Sequence, residues 1–209
     1  KNQTNGAPGL VSFVRYNGAT GASATSTSRI DDGSFHMVTG IKANNSVKIY
    51  IDGVLEHTVS DVSSAAGSLS SIRLSNTSVE LTGEVDEVGI WSVGLTDSEV
   101  LNIYNRQKPK FSEELSSSWT PHWDKTVGYW KMDGNWQDSS GNGNHGSPLA
   151  GTAFTNASKI GSQSSCFDGV DDVVTVSSNI GLNGFSDATT VSAWIKMSDL
   201  SSWVEDGVI

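Results

Sequence analysis

Oxygen-bearing side chains recur at alternate positions along Asp138-Ser139-Ser140-Gly141-Asn142-Gly143-Asn144. Asp138, Ser140, Asn142 and Asn144 each offer a hard oxygen, and the glycines between them permit a tight wrap. Several hard oxygens converging on one ion is the chemistry of a structural calcium loop, and mostly neutral ligands imply roughly millimolar affinity. The helix-loop-helix calcium motif ends with a bidentate Glu at its twelfth position. Here that position is Leu149, so a completing carboxylate has to come from elsewhere in the chain. The same residues also suit a turn that caps itself through Asx hydrogen bonds. A second acidic segment, Phe167-Asp168-Gly169-Val170-Asp171-Asp172, holds three carboxylates. It reads as a β-turn between two strands in preference to a second metal site.

Catalysis finds little support. His36, His57, His122 and His145 are scattered, outside any nucleophile elbow or His-Glu-x-x-His zinc spacing. Glu84 and Asp86 stand two apart on a predicted strand, hence on one face and roughly 6–7 Å apart at the backbone. That spacing is compatible with a glycosidase carboxylate pair. Cys166 is the single cysteine, with no base nearby to activate it, and reads as a small buried hydrophobe. Trp91, Trp130 and Trp194 lie within apolar strands and read as core. Trp136, Trp203 and Trp119 lie nearer loops or a linker and are candidates for stacking on sugar rings.

These residues are carried by a β-rich chain. Of 209 residues, 17% are charged and 36% hydrophobic, and glycine is abundant, as in all-β extracellular domains. The net charge of −10, with Lys and Arg sparse and unclustered, argues against nucleic acid or an anionic membrane as partner. No apolar run approaches the ~20 residues of a membrane span.

Short apolar runs separated by Gly, Asn, Asp and Ser predict strands at Leu10–Val14, Phe35–Ile41, Val47–Ile51, Val54–Val59, Ser68–Leu74, Glu84–Trp91, Val127–Met132, Ser164–Phe167, Val173–Val176 and Thr189–Lys196. Asp52-Gly53 between two of them signals a tight hairpin. Thr96-Asp97-Ser98-Glu99 is a capping box, followed by Val100, Ile103 and Tyr104 on one stripe, which predicts one short helix ending near Arg106. Residues 107–124, with Pro109, Pro121 and a serine run, read as a linker whose Trp119 and Trp123 are expected to pack back onto a domain edge. The resulting class is all-β: a two-sheet antiparallel β-sandwich or jelly roll with one short helix.

Three groups of residues make the pattern recognisable. Phe35-His36-Met37-Val38 with Val47-Lys48-Ile49-Tyr50-Ile51-Asp52-Gly53 resembles the central hairpin of the laminin-G-like, concanavalin A-like family. Gly83-Glu84-Val85-Asp86-Glu87-Val88-Gly89-Ile90-Trp91 and the capping box resemble its closing strand and helix. Val127-Gly128-Tyr129-Trp130-Lys131-Met132-Asp133, the Asp138–Asn144 loop and the Phe167–Asp172 turn resemble its opening. The resemblance implies that first and last strands lie side by side, so that Asp86, with Glu84, would complete a calcium shell at the loop. It also implies that the strand bearing Glu84 and Asp86 is non-catalytic, and the chain is read as not an enzyme.

The order is inverted, closing motifs first and opening motifs last. Residues 1–106 read as the C-terminal half of one sandwich and 125–209 as the N-terminal half of a sandwich. A permuted single domain, a window on a tandem array of repeats, and a filament piece completed by its neighbours all fit. The array is favoured, because a cut through a strand is what a window on a periodic sequence produces. On the array reading the two halves share few contacts. The expected function is a structural or adhesive repeat of a large extracellular or surface protein, partnered by neighbouring copies or a cell-surface ligand. The alternative is a carbohydrate-binding, lectin-like module.

Overall fold

A computed structural model of the chain describes residues 9–16, 21–62, 72–74, 81–107, 121–176 and 188–197. In chain order the elements are β1 (Ser12–Tyr16), β2 (Gly21–Thr25), β3 (His36–Ala43), β4 (Ser46–Ile51), β5 (Val54–Ser60), β6 (Ile72–Leu74) and β7 (Thr82–Trp91). Helix α1 (Asp97–Gln107) follows, then a 3-10 turn at Trp123–Lys125. The remaining strands are β8 (Thr126–Trp130), β9 (Gly146–Leu149), β10 (Ala153–Thr155), β11 (Ser164–Asp168), β12 (Val173–Val176) and β13 (Thr189–Met197).

The eight-stranded main sheet has the order β10-β11-β7-β13-β3-β4-β5, with β8 also on β7. Its strands alternate faces as their sequences require. On β13, Val191, Ala193 and Ile195 enter the larger core, while Trp194 points to the opposite side. On β4, Val47, Ile49 and Ile51 take one face and Tyr50 the other. The three-stranded sheet β6-β12-β9 and the β1-β2 hairpin supply the second layer. Val174, Val176 and Trp136 meet the main sheet in one cluster, and Ala24 meets Val47 and Ile49 in another. Helix α1 covers part of the far face, where Val100 and Ile103 join Met37, Ile41, Tyr50, Trp91 and Trp194.

Local signals account for the connections. Asp52 and Gly53 both adopt positive φ, as the tight β4–β5 hairpin demands. The capping box forms as expected: Glu99 Oε2 accepts the Thr96 amide at 2.8 Å, and Thr96 Oγ1 accepts the Glu99 amide at 3.3 Å. Trp123 lies edge-on to Tyr129, with ring centroids 5.8 Å apart. The expected linker therefore overlaps α1 at Gln107 and the 3-10 turn at its other end, and residues 108–120 lie outside the described ones.

Strands from the two stretches are interleaved. β13 lies between β7 and β3, antiparallel to both, and β8 and β11 lie on β7. A shared ladder of this extent differs from the few contacts that the array reading expects. It arises because β3 and β7 are largely buried, so the backbone edges they turn towards each other need a strand's hydrogen bonds.

Two outcomes follow. Trp194 is 1% exposed, stacks on Tyr104 at 5.6 Å and has Lys159 Nζ 4.2 Å above its ring. Trp194→Ala should cost about 3–5 kcal/mol, read from the urea midpoint. Because β13 fills its own chain's sheet, the purified chain should run as a monomer in light scattering coupled to size exclusion. Head-to-tail oligomers would place β13 in a neighbour instead.

Candidate functional site

The carboxylates fall into three separate settings. The first is the Asp138–Asn144 loop, hung on β8 by the bridge between Trp130 and Asp138. Asp138 is buried, and its Oδ1 accepts the amides of Tyr129 at 2.9 Å and Ser140 at 2.8 Å. Its Oδ2 accepts the Ser140 hydroxyl at 2.8 Å and the Asn144 amide at 3.0 Å. The side-chain amides of Asn142 and Asn144 donate to the carbonyl of Val127 at 3.2 and 2.6 Å. Asn144 also accepts the Trp130 indole N–H on its carbonyl at 2.8 Å. The loop thus brings Asp138, Ser140, Asn142 and Asn144 together, but in a self-closed turn whose carboxylate already accepts four hydrogen bonds. As arranged, these residues do not fit a calcium cage.

Glu84 and Asp86 hold other partners. Glu84 Oε1 meets Lys196 Nζ across the ladder at 3.3 Å. Asp86 belongs to the second setting, which the topology creates. One side of β7 is covered throughout by β13. The other side is divided, with β11 against Thr82–Val85 and β8 against Val88–Trp91. Asp86 and Glu87 stand in the gap between them. On the β13 side the register shifts between Ser192 and Trp194, and Glu87 takes a φ of 53°, the geometry of a β-bulge.

Into this gap comes the segment 159–163. Asp86 Oδ2 accepts the amides of Lys159 at 2.7 Å and Ile160 at 3.0 Å. Asp133 Oδ1 accepts those of Ser162 at 2.7 Å and Gln163 at 3.1 Å. Gly161, between the two clamps, has a φ of 70°, and any Cβ there would collide with the Asp133 carboxylate. Glu87 is buried and accepts the Tyr129 hydroxyl on Oε2. Asp86 Oδ1 is buried without a hydrogen-bond partner among the described residues.

Burial in this gap disfavours charge. It pushes the Asp86 carboxyl up to about 7, against the pull of its backbone hydrogen bonds and with help from the Asp133 charge. It pushes Glu87 up to about 8, opposed by the Tyr129 hydroxyl and reinforced by Asp86. Glu87 and Asp133 were not singled out in the sequence. The signal was there in the adjacent Asp86-Glu87 pair: two consecutive charges in an apolar strand cannot both face solvent when both faces are covered.

The third setting is the turn Asp168–Asp172 between β11 and β12. Asp172 Oδ2 accepts the Asp168 amide at 2.9 Å, and Asp168 Oδ1 accepts the Val170 amide at 2.8 Å. The β-turn reading therefore describes its backbone. Donor oxygens of Asp168, Asp171 and Asp172 nevertheless converge to within 4.8 Å of one another.

The aromatic candidates divide differently. Trp136 is 9% exposed and packs on Phe154 with centroids 4.5 Å apart, so it offers no stacking face. The expectation for Trp136 is corrected: the sequence places it near a loop, but the loop folds it into the main core beside Val174. Trp119 and Trp203 lie outside the described residues. Cys166 is half-buried, its thiol pushed up by burial and then by the Glu84 charge, which disfavours a reactive thiolate.

Two-layered antiparallel sheets, with structural carboxylates and one capping helix, define a jelly-roll β-sandwich. Residues 3–101 match the family model Laminin_G_3, described as the Concanavalin A-like lectin/glucanases superfamily. The matched residues span β1 to β7 and enter α1. No curated protein and no solved structure matches the chain.

Raised folded-state values at Asp86 and Glu87 set a direction for stability. Each contributes stability that is fully present below its ordinary value and lost as pH rises through the folded one. Stability should therefore fall between pH 5 and about 8. His36 adds to this fall. Burial works to lower its value, but the hydrogen bonds to Asp52 and Asp32 outweigh it and hold the imidazolium. Urea midpoints across this range should decline in the native chain and decline less in Asp86→Asn. Equal slopes in the two proteins would remove Asp86 from the effect.

Proposed function

We propose that the chain is a non-enzymatic adhesive or spacing module of a large extracellular or surface protein, partnered by neighbouring copies or a cell-surface ligand. The observation that carries this reading is the commitment of its carboxylates. Glu84 is paired with Lys196, and Asp86 is buried against the 159–160 amides, so the two do not form an open acid–base pair. The likeness of residues 3–101 to a superfamily that includes lectins supports a binding role, towards carbohydrate or protein ligands. Among the described residues no helix is long and apolar enough to cross a membrane.

The domain frame is part of the proposal. Residues 1–106 and 125–209 act as complementary halves of one sandwich, joined through the β7–β13 and β3–β13 ladders. A lectin-like role would need exposed aromatics, and Trp136 is withdrawn into the core. The sugar-stacking candidates that remain, Trp119 and Trp203, lie outside the described residues.

The test is a pair of assays on the purified chain. Incubation with β-linked glucans should release no reducing ends. Turnover that is lost in Glu84→Gln would sink the non-enzymatic reading. A glycan array should show no strong, saturable binding. Binding abolished by Trp119→Ala or Trp203→Ala would move the function to carbohydrate recognition.

A further inference from the structure

We propose that His36 is a pH-sensitive latch: with its imidazole doubly protonated it fastens the bend before β3 to the sheet, and on losing a proton it lets that bend go. Both ring nitrogens face carboxylates. Nδ1 lies 2.8 Å from Asp52 Oδ2, and Nε2 lies 3.1 Å from Asp32 Oδ1. An ionised carboxylate only accepts, so each nitrogen has to donate. A neutral imidazole has one N–H and would turn the lone pair of its other nitrogen on a negative oxygen. The two bonds therefore coexist only in the imidazolium.

The two carboxylates are held with different firmness. Asp52 sits at the β4–β5 turn, where its Oδ1 accepts the Met37 amide at 2.9 Å and its own amide donates to the Met37 carbonyl at 2.9 Å. It stays in place without His36. Asp32 opens the bend 32–34, and its side chain is 59% exposed. Its other bond is local, from the Ser34 amide at 2.8 Å. Behind the bend, Ile30 is fixed in the main core, and its amide donates to the Gly9 carbonyl at 2.9 Å. A proton lost from the ring leaves the remaining N–H with Asp52, at the shorter contact, and sets Nε2 against Asp32. Residues 32–34 are then the part that moves, and a Cβ on Gly33 would meet nothing within 4 Å.

Among the described residues no other charged group bonds the ring. Opposite His36 on β13 stands Ile195, and the adjoining Lys196 is paired with Glu84. Arg29, on the far side of the bend, is paired with Asp31. On α1, Tyr104 is pushed up by burial and then by the Asp52 charge. Burial alone would lower the His36 value, but Asp52 and Asp32 outweigh it and raise it. The Ser34 amide and then His36 hold Asp32 low. The latch is therefore closed below the raised His36 value and opens as pH rises through it.

Asp86 and Glu87 also lose protons as pH rises, so the test reads the bend itself. Nuclear magnetic resonance on the full chain, from about pH 5 to 9, follows the His36 ring protons together with the backbone Cα relaxation of residues 32–34, which needs no exchangeable proton. The ring midpoint should lie above the ordinary 6.5. The order parameters of Gly33 and Ser34 should fall through the same midpoint, while those of Asp52 and Gly53 hold. Asp32→Asn, at an exposed position, should shift the ring midpoint down and leave Gly33 and Ser34 equally mobile at both ends of the range. His36→Gln should abolish the pH response of the bend but keep the decline in urea midpoint that Asp86 sets. A ring midpoint at or below 6.5 would overturn the proposal. So would unchanged order in 32–34 across the midpoint, or a midpoint that Asp32→Asn fails to move.

Discussion

A strand buried on both faces must also find hydrogen-bond partners along both edges, because unpaired backbone groups away from water cost as much as lost hydrogen bonds. In this protein that requirement falls on β3 and β7, which the first stretch of chain supplies without anything to lie between them. β13 comes from the far side of residues 108–120 and fills the slot, pairing from Thr189 to Ile195 with β3 and from Thr190 to Met197 with β7. Both cores depend on that insertion. Val191, Ala193 and Ile195 complete the interior facing the second layer, and Trp194 completes the interior beneath α1. Thr39 and Ser192 share a buried hydroxyl hydrogen bond at 2.8 Å across the same seam.

The second edge of β7 explains where the acidic residues go. Two short strands, β11 and β8, divide that edge and leave a gap, and the gap is closed by side-chain carboxylates rather than by a third strand. Asp86 and Asp133 receive amides from the 159–163 segment as a neighbouring strand's carbonyls would. A carboxylate presents several acceptor lone pairs at one point, so it can take two successive amides that no regular ladder aligns. Burying it raises the energy of its ionised form, and the raised values at Asp86 and Glu87 are the electrostatic counterpart of this closure.

Much of this architecture was legible in the sequence. Alternation located β3, β4, β7, β12 and β13 almost to the residue, and the Asp52-Gly53 and Thr96–Glu99 signals located the hairpin and the helix start. β2 (Gly-Ala-Ser-Ala-Thr), β9 (Gly-Ser-Pro-Leu) and β10 (Ala-Phe-Thr) were missed, because small and polar residues leave no apolar period to detect. β9 even carries a proline, tolerated because it pairs on one side only, with β12. The site was less legible. The Asp138 spacing marked an oxygen-rich loop and was read first as a calcium site, yet whether its oxygens face an ion or their own backbone depends on where β8 runs. Asp86 was chosen for its place on the closing strand, but its partners lie 73 and 74 residues away and no local pattern announces them. The Asp168–Asp172 cluster was visible as three acids.

The placement of β13 also governs when the molecule can form. Thr39 and its partner Ser192 are separated by 153 positions in the chain, and the strand between β3 and β7 is synthesised after both. Contacts of such long sequence separation carry a large loop-closure entropy and form late. During synthesis β3 and β7 therefore emerge before the strand that fills the groove between them. Until residue 197 clears the ribosome, that groove is an open template for any other extended segment, including the same region of a neighbouring nascent chain. The fold thus places its greatest vulnerability to misassociation on the ribosome.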